Sequence, residues 1–168
     1  MALAPSLYAA LLADIAVDGA LAALPHNSDS ADAIATAYRV IASPDFWVYR
    51  TTLGEQEIYE ATSPAGTTWD WTTYIAQSAR EADAWGRMFA KGPMNPSLAQ
   101  ARAGIDKIFA GTGAAVVAQR AHLTALYRRQ ATRVEKVLAL GAGSTASPAT
   151  MRFEGVLDLN DVLHAWGQ

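Results

Sequence analysis

The sequence predicts a mainly α protein: a compact helical domain of about five or six helices with one or two short strands. Hydrophobic residues make up 51% of the 168, and many of them are alanine, which favours helices over a thick aliphatic core. Apolar side chains recur with helical spacing in most segments. Proline and glycine separate these segments, as they do at helix ends.

The first ninety residues predict several helices and one extended segment. The helices are expected over 5–16, 20–24, 28–42, 53–60 and 71–90, with a strand or fixed extended segment over 46–52. The extended segment is rich in aromatic and β-branched residues, which have high β-propensity. Asp70 supplies a capping side chain for the helix over 71–90.

The longest helical pattern covers residues 114–140 and follows a helix that starts at Asn95-Pro96. One apolar face recurs at steps of seven and four: Val116, Leu123, Tyr127, Val134 and Leu138. At 1.5 Å per residue this helix would be ~40 Å long, longer than a small core requires. We therefore expect a long helix in the C-terminal half, on which the shorter helices pack.

The C-terminal residues predict an arm rather than a continuation of the helical body. Residues 141–148, GAGSTASP, have the composition of a flexible or extended linker. A strand over 151–157 and a last short helix opening at Asp158 or Asn160 are expected to follow. The predicted organisation is therefore a helical domain over 1–140 and a linker with an extended C-terminal arm over 141–168.

Charge is distributed unevenly, although the formal net charge is only −3. Residues 1–110 hold 12 acids and 7 bases, whereas residues 111–168 hold 4 acids and 6 bases. The acidic total argues against a general binder of polyanions. Opposed charge at two ends suits a protein that stacks between unlike partners or copies of itself, with chance unevenness as the alternative.

The sequence predicts no enzyme, no cofactor and no metal site. It has 0 cysteines, which excludes disulfides and thiol nucleophiles. Its 3 histidines lack zinc-ligand spacing, and His122 is expected to be a polar flank residue of the long helix. The N-terminal apolar run has no basic start and is interrupted by Asp14 and Asp18, so neither export nor membrane insertion is expected.

The long helix offers a basic surface as the main candidate interaction site. Arg129, Arg133 and Lys136 would form one stripe, with Arg128 beside it. Such a stripe could bind DNA phosphates. Because the protein is acidic overall and shows no helix-turn-helix signature, we favour contact with an acidic protein partner or a neighbouring subunit.

Aromatic residues supply further candidates, because exposed aromatic clusters anchor interfaces. Trp69 and Trp71 straddle a helix start, so at least one should be exposed, whereas Trp85 reads as core. The full set of candidate interface residues is Arg128, Arg129, Arg133, Lys136, Arg152, Phe153, Trp69 and Trp166.

Several blocks of sequence together carry a resemblance to a known family. They are ASPDFWVYRT (42–51), NPS (95–97), RAGIDKIF (102–109), RRQATRVEK (128–136), GAGS (141–144), SPATM (147–151) and FEG (153–155). These blocks, which fall within residues 27–162, resemble a family of small proteins encoded by tailed bacteriophages and prophages.

The resemblance implies a non-enzymatic virion structural protein of the neck, a head–tail adaptor or connector subunit joining portal to tail. The implied partners are further copies in a homo-oligomeric ring, the portal and tail-side neck proteins, with packaged DNA as a further contact and no membrane. The implied location is the virion, after assembly in the host bacterial cytoplasm. A capsid decoration protein, a tail-terminus protein and a small DNA-binding packaging accessory protein are the alternatives. The C-terminal arm would reach an adjacent subunit or the portal.

Overall fold

The computed structural model describes residues 3–167 and is mainly α, which confirms the predicted fold class. The elements in chain order are α1 (Pro5–Val17), α2 (Gly19–Ala22), α3 (Ser28–Arg39), β1 (Trp47–Tyr49), α4 (Glu55–Glu60), α5 (Trp71–Ile75), α6 (Ala79–Phe89), α7 (Ala99–Ile108), α8 (Ala114–Leu126), β2 (Arg128–Gln130), α9 (Arg133–Leu138) and α10 (Leu159–Ala165). These ten helices of the described residues exceed the expected five or six. Two of the expected helices are each interrupted, and several of the ten are short, such as α2 with 4 residues and α5 with 5.

The chain divides into two units. Residues 49–129 form the second unit, and the residues before and after them form the first. The strands β1 and β2 pair in a two-stranded antiparallel sheet, and both chain crossings between the units fall within these strands. This division differs from the expected boundary at residue 140, because residues 141–167 belong to the first unit.

The first unit has a core of aliphatic side chains from α1, α3, α9 and α10. Leu7, Leu11 and Ile15 of α1 are buried on one face, as their spacing of four predicts. Leu157 and Val162 from the expected arm are fully buried in the same core. The last helix begins after Asp158, as expected, but the expected strand over 151–157 is not formed in the structure.

The second unit has a largely aromatic core. The indole of Trp85 lies 5.1 Å from that of Trp69 and 5.0 Å from the ring of Phe89, measured between ring centroids. Phe109 meets Trp85 edge-on at 5.7 Å. Rings in tilted and edge-to-face pairs attract one another beyond the area that they bury.

The expected long helix over 114–140 is wrong. Helix α8 ends at Leu126 and α9 begins only at Arg133. The backbone between them bonds to other segments instead: the Tyr127 carbonyl accepts from the Arg50 N–H at 2.8 Å, and the Ala131 N–H donates to the Phe46 carbonyl at 2.8 Å. These sheet-like bonds replace the helical ones that a continuous helix would need.

The expected helix over 71–90 is also two helices. Helix α5 ends at Ile75, and Ser78 begins α6 with a reciprocal capping box. The Ser78 hydroxyl accepts from the Glu81 N–H, and the Glu81 carboxylate accepts from the Ser78 N–H at 2.9 Å. Such a pair satisfies two backbone donors and fixes a helix start.

Candidate interaction site

The structure separates the basic residues that the long helix would have aligned. Arg128 and Arg129 lie in β2, whereas Arg133 and Lys136 lie on α9, and all four are half-buried. The single helical stripe of Arg129, Arg133 and Lys136 is therefore wrong. Arg129 lies in β2, and only Arg133 and Lys136 share a helix.

The remaining candidates are placed in three kinds of environment. Trp69 is 6% exposed and Phe153 is 9% exposed, so both are core residues and not surface anchors. Trp166 is half-buried and stacks on His26, with 4.3 Å between ring centroids. Arg152 is exposed and donates to the Ser6 hydroxyl at 3.1 Å. Trp71 is 49% exposed, which confirms that one of the two tryptophans at the start of α5 reaches the surface.

Arg133 is the centre of an ion-pair cluster in the first unit. Its guanidinium donates to Asp14 Oδ2 at 3.1 Å and to Asp18 Oδ2 at 2.9 Å. The same group lies over the ring of Tyr38, 4.4 Å from its centroid. The Tyr38 hydroxyl in turn donates to Asp14 Oδ2 at 2.5 Å. The cluster thus joins α1, α3 and α9.

The electrostatics of the cluster follow from these contacts. The hydrogen bond from Arg133, followed by that from the Leu21 N–H, lowers the pKa of Asp18 below its ordinary value. Burial, and next the hydrogen bond to Asp14, raises the pKa of Tyr38. Arg133 is thus neutralised by two carboxylates, whose negative charges oppose the approach of a phosphate.

A pocket of about 340 Å³ opens beside this cluster. Its lining residues are Asp14, Asp18, Val40, Ile41, Ser43, Arg133, Lys136 and Val137. Val40 and Ile41 keep more than half of their surface exposed. The Lys136 ammonium faces the carbonyl oxygens of Ser43 and Pro44 at 3.4 and 3.3 Å. Since its cations already have partners, the pocket is better suited to a protein contact than to a polyanion.

His122 has a structural role rather than the expected place at the helix flank. It is fully buried, with Nε2 3.3 Å from the Ile58 carbonyl oxygen and Nδ1 3.2 Å from the Thr67 hydroxyl. These contacts tie α8 to α4 and to the loop that follows α4. Over residues 3–167, no group of three or more potential metal-ligating side chains converges.

The helices of the described segment are also too short or too polar to cross a membrane. Comparisons with protein-family models, with curated proteins and with solved structures found no match to this chain. The class defined by the structure is a mainly α protein of two units with a neutralised ion-pair cluster at its candidate site.

The substitution Arg133→Gln tests the ion-pair cluster through the pH dependence of the unfolding free energy. We expect a loss of about 1–2 kcal/mol in unfolding free energy near neutral pH, because partly exposed charged hydrogen bonds contribute less than buried ones. The folded-state pKa of Asp18 lies below its unfolded value. The stabilisation is therefore present above the unfolded pKa of about 3.9 and is lost as pH falls through the folded pKa.

Urea unfolding of both proteins across this pH range measures the effect. The difference between them should be constant from about pH 5 to 7 and shrink below about pH 4. Arg152→Gln, which removes an exposed guanidinium bonded only to a hydroxyl in the described residues, is the control and should change little. An equal difference at all pH values would contradict the ion-pair interpretation.

Proposed function

We propose that this protein is a non-enzymatic structural protein of a tailed-phage virion, acting as a head–tail adaptor subunit between portal and tail. The proposal starts from the sequence blocks that resemble this family. The observation that carries it further is that four of these blocks meet in the first unit, where the block at 42–51 is hydrogen-bonded to the blocks at 128–136, 141–144 and 147–151.

The strand β1 lies at the centre of this arrangement. The Trp47 N–H donates to the Gly143 carbonyl at 2.7 Å, and the Trp47 carbonyl accepts from the Ala149 N–H at 2.9 Å. On the other side, the Phe46 carbonyl accepts from the Ala131 N–H. A resemblance of composition alone gives no reason for its segments to meet. Their convergence supports a resemblance between folded cores, and hence the proposed class.

The surface also supports an assembly role over catalysis. Large apolar side chains are exposed in both units, among them Val17, Val40 and Val156 in the first and Trp71 and Ile75 in the second. Val40 and the neighbouring Ile41 lie together at the pocket beside Arg133, and exposed apolar groups that cluster are typical of contacts with other chains. The buried His122 of the second unit is engaged in hydrogen bonds with the Ile58 carbonyl and Thr67 inside the packed unit.

Two alternatives remain within or beside this class. A capsid decoration protein or a tail-terminus protein would share the same features and differ in its place in the particle. A DNA-binding accessory protein would use Arg128, Arg129, Arg133 and Lys136. The ion pairs of Arg133 with Asp14 and Asp18 count against that second class.

The test is electron cryo-microscopy of particles from the phage or prophage that encodes this chain, reconstructed without imposed symmetry. A ring of density between portal and tail that fits both units supports the adaptor proposal. Density repeated over the capsid lattice would assign a decoration protein, and density at the tail end a terminator. Absence of its peptides from purified particles by mass spectrometry would overturn the virion proposal.

A further inference from the structure

Charged side chains without a hydrogen bond or ion pair are segregated between the two units. Within the described part of the chain, the cations in this state all belong to the second unit: Arg80, Lys91 and Lys107. The carboxylates in this state lie mainly in the first unit: Asp29, Asp32 and Asp45, with Asp106 in the second. The unpaired cations of the second unit could therefore be neutralised by a surface that carries the unpaired carboxylates of the first.

The total charges of the units agree with this segregation. The first unit holds 9 acidic and 4 basic residues, and the second holds 7 acidic and 9 basic residues. Opposite potentials on two surfaces favour their encounter and fix their orientation. The sequence division at residue 110 misses this pattern, because the first unit takes both ends of the chain.

Two of the free cations lie at one pocket of the second unit, between α6 and α7. The pocket has a volume of about 490 Å³, and exposed Arg80 and Lys107 contribute to its wall. Its apolar lining comes from Ala84, Met88, Gly104 and Ile108, and Ser78 and Glu81 complete the wall. The Glu81 carboxylate is held in the capping box with Ser78, so the two cations outnumber the one carboxylate of the lining. A Cβ on Gly104 would lie 2.9 Å from Met88 Cε, so the glycine leaves room for the Met88 side chain in this lining.

This combination selects the chemistry of the occupant. An apolar surface beside two unneutralised cations fits a peptide segment that carries carboxylates next to apolar groups. A phosphate backbone would match the cations but would leave the apolar surface of Met88 and Ile108 uncovered. Charge complementarity and apolar area therefore both favour an acidic protein segment.

We propose that the α6–α7 pocket receives the acidic start of α3 from the first unit of a second copy of this chain. Asp29 and Asp32 are exposed and stand three residues apart on α3, so both carboxylates lie on one face of the helix. The stacked rings of His26 and Trp166 provide apolar surface just before the helix start. The contact joins two different faces, as a closed heterologous ring requires. This inference rests on the proposed function for its partner, because a ring subunit must meet its own copies.

Analytical ultracentrifugation of the full-length chain at low and high salt tests the contact. The wild-type chain should associate, and more weakly at high salt, because exposed charges are screened. The double variants R80E/K107E and D29K/D32K should each weaken association by at least about tenfold. An equimolar mixture of the two variants should recover it, because the reversed charges are again complementary.

Lys91→Glu is the matched control. It reverses a free cation of the same unit that lies outside the pocket lining, and it should leave association close to that of the wild type. Circular dichroism of every variant establishes that the helices are retained. If Lys91→Glu weakened association as much as R80E/K107E does, the effect would be due to net charge, and the proposed role of the pocket would be overturned.

Three other outcomes would overturn the inference: a wild-type chain that stays monomeric at every attainable concentration, double variants that associate like the wild type, and a mixture that does not recover. Failure of the proposed function is distinguishable from these results. If particles that carry R80E/K107E still contain the ring, the proposed contact is refuted and the adaptor function is retained. If the chain associates through the pocket but is absent from particles, the contact is retained and the adaptor function is refuted.

Discussion

Replacing Trp85 by alanine should lower the unfolding free energy by about 3–5 kcal/mol, the range for removing a large aromatic side chain from a core. Domains are typically stable by only about 5–15 kcal/mol, so the second unit of this variant should be at the limit of stability. Trp85 is fully buried at the centre of the aromatic core. No other described side chain of that core is both as large and as completely enclosed.

Two kinds of interaction are lost together in this variant. The indole packs against Trp69, Phe89 and Phe109, so alanine leaves a cavity among rings that cannot all move inward. The Trp85 Nε1–H also donates to Glu55 Oε1 at 2.8 Å and lies 2.9 Å from the Tyr59 hydroxyl oxygen. The carboxylate of Glu55 then keeps only the Tyr59 hydroxyl as a donor in this network.

Trp71→Ala is the matched control, because the same residue type is removed from the surface of the same unit. Its side chain is half-exposed, and its loss should lower the unfolding free energy by about 1 kcal/mol or less. Urea unfolding followed by far-ultraviolet circular dichroism measures both variants. Equal effects of the two substitutions would contradict the aromatic core described for the second unit.

Sequence patterns predicted the elements whose signals are local. The face of Leu7, Leu11 and Ile15 on α1 depends only on spacing along the helix, and it is buried as expected. The start of α10 depends on the capping carboxylate of Asp158, which is visible in the sequence. Both features are set within a few residues, so tertiary contacts do not alter them.

Apolar periodicity alone extended two helices too far. It runs unchanged from α8 into α9, since Leu123, Tyr127, Val134 and Leu138 keep helical spacing across the break. The local signal for the break is the capping-box pattern, with Thr132 three residues before Glu135. The same pattern, Ser78 before Glu81, marks the break between α5 and α6. The pairing of β2 with β1 is a contact between segments about eighty residues apart, and no local signal contains it.

The candidate interface was predicted less well than the fold because exposure is a tertiary property. Phe153 and Trp69 have the residue type of interface anchors, yet each is enclosed by helices from other parts of its unit. The ion pairs of Arg133 join α9 to the end of α1, more than a hundred residues earlier. Arg80 and Lys107 attracted no notice in the sequence, since each is one cation on a mixed helix. Only the packing of α6 on α7 brings them to one pocket.

Gly143→Ala should lower the unfolding free energy by about 2–5 kcal/mol, through two separable terms. Gly143 has φ +67°, a left-handed conformation that costs a residue with a Cβ about 1–2 kcal/mol. A Cβ at this position would lie 2.1 Å from Cε2 of Phe46, so the ring must move. Phe46 packs against the buried Val48, Ala131 and Ala149, and its displacement adds an overpacking cost of about 1–3 kcal/mol.

Gly66→Ala separates the two terms. Gly66 has φ +75°, but a Cβ there would have no atom within 4 Å. It should therefore show only the conformational cost of about 1–2 kcal/mol. Urea unfolding of both variants gives the difference, which measures the clash with Phe46. Adding Phe46→Ala to Gly143→Ala should remove that difference, and the double-mutant cycle gives a coupling energy between the two sites.

The result bears on function as well as stability. Gly143 and Phe46 belong to two of the sequence blocks that resemble the phage family, and the adjacent Trp47 N–H donates to the Gly143 carbonyl. A strong coupling would mean that these two blocks are held together in solution as one folded core. That is the arrangement on which the proposed function depends. A Gly143→Ala variant no less stable than Gly66→Ala would contradict the close packing of Phe46 on Gly143 and would count against the convergence of these two blocks.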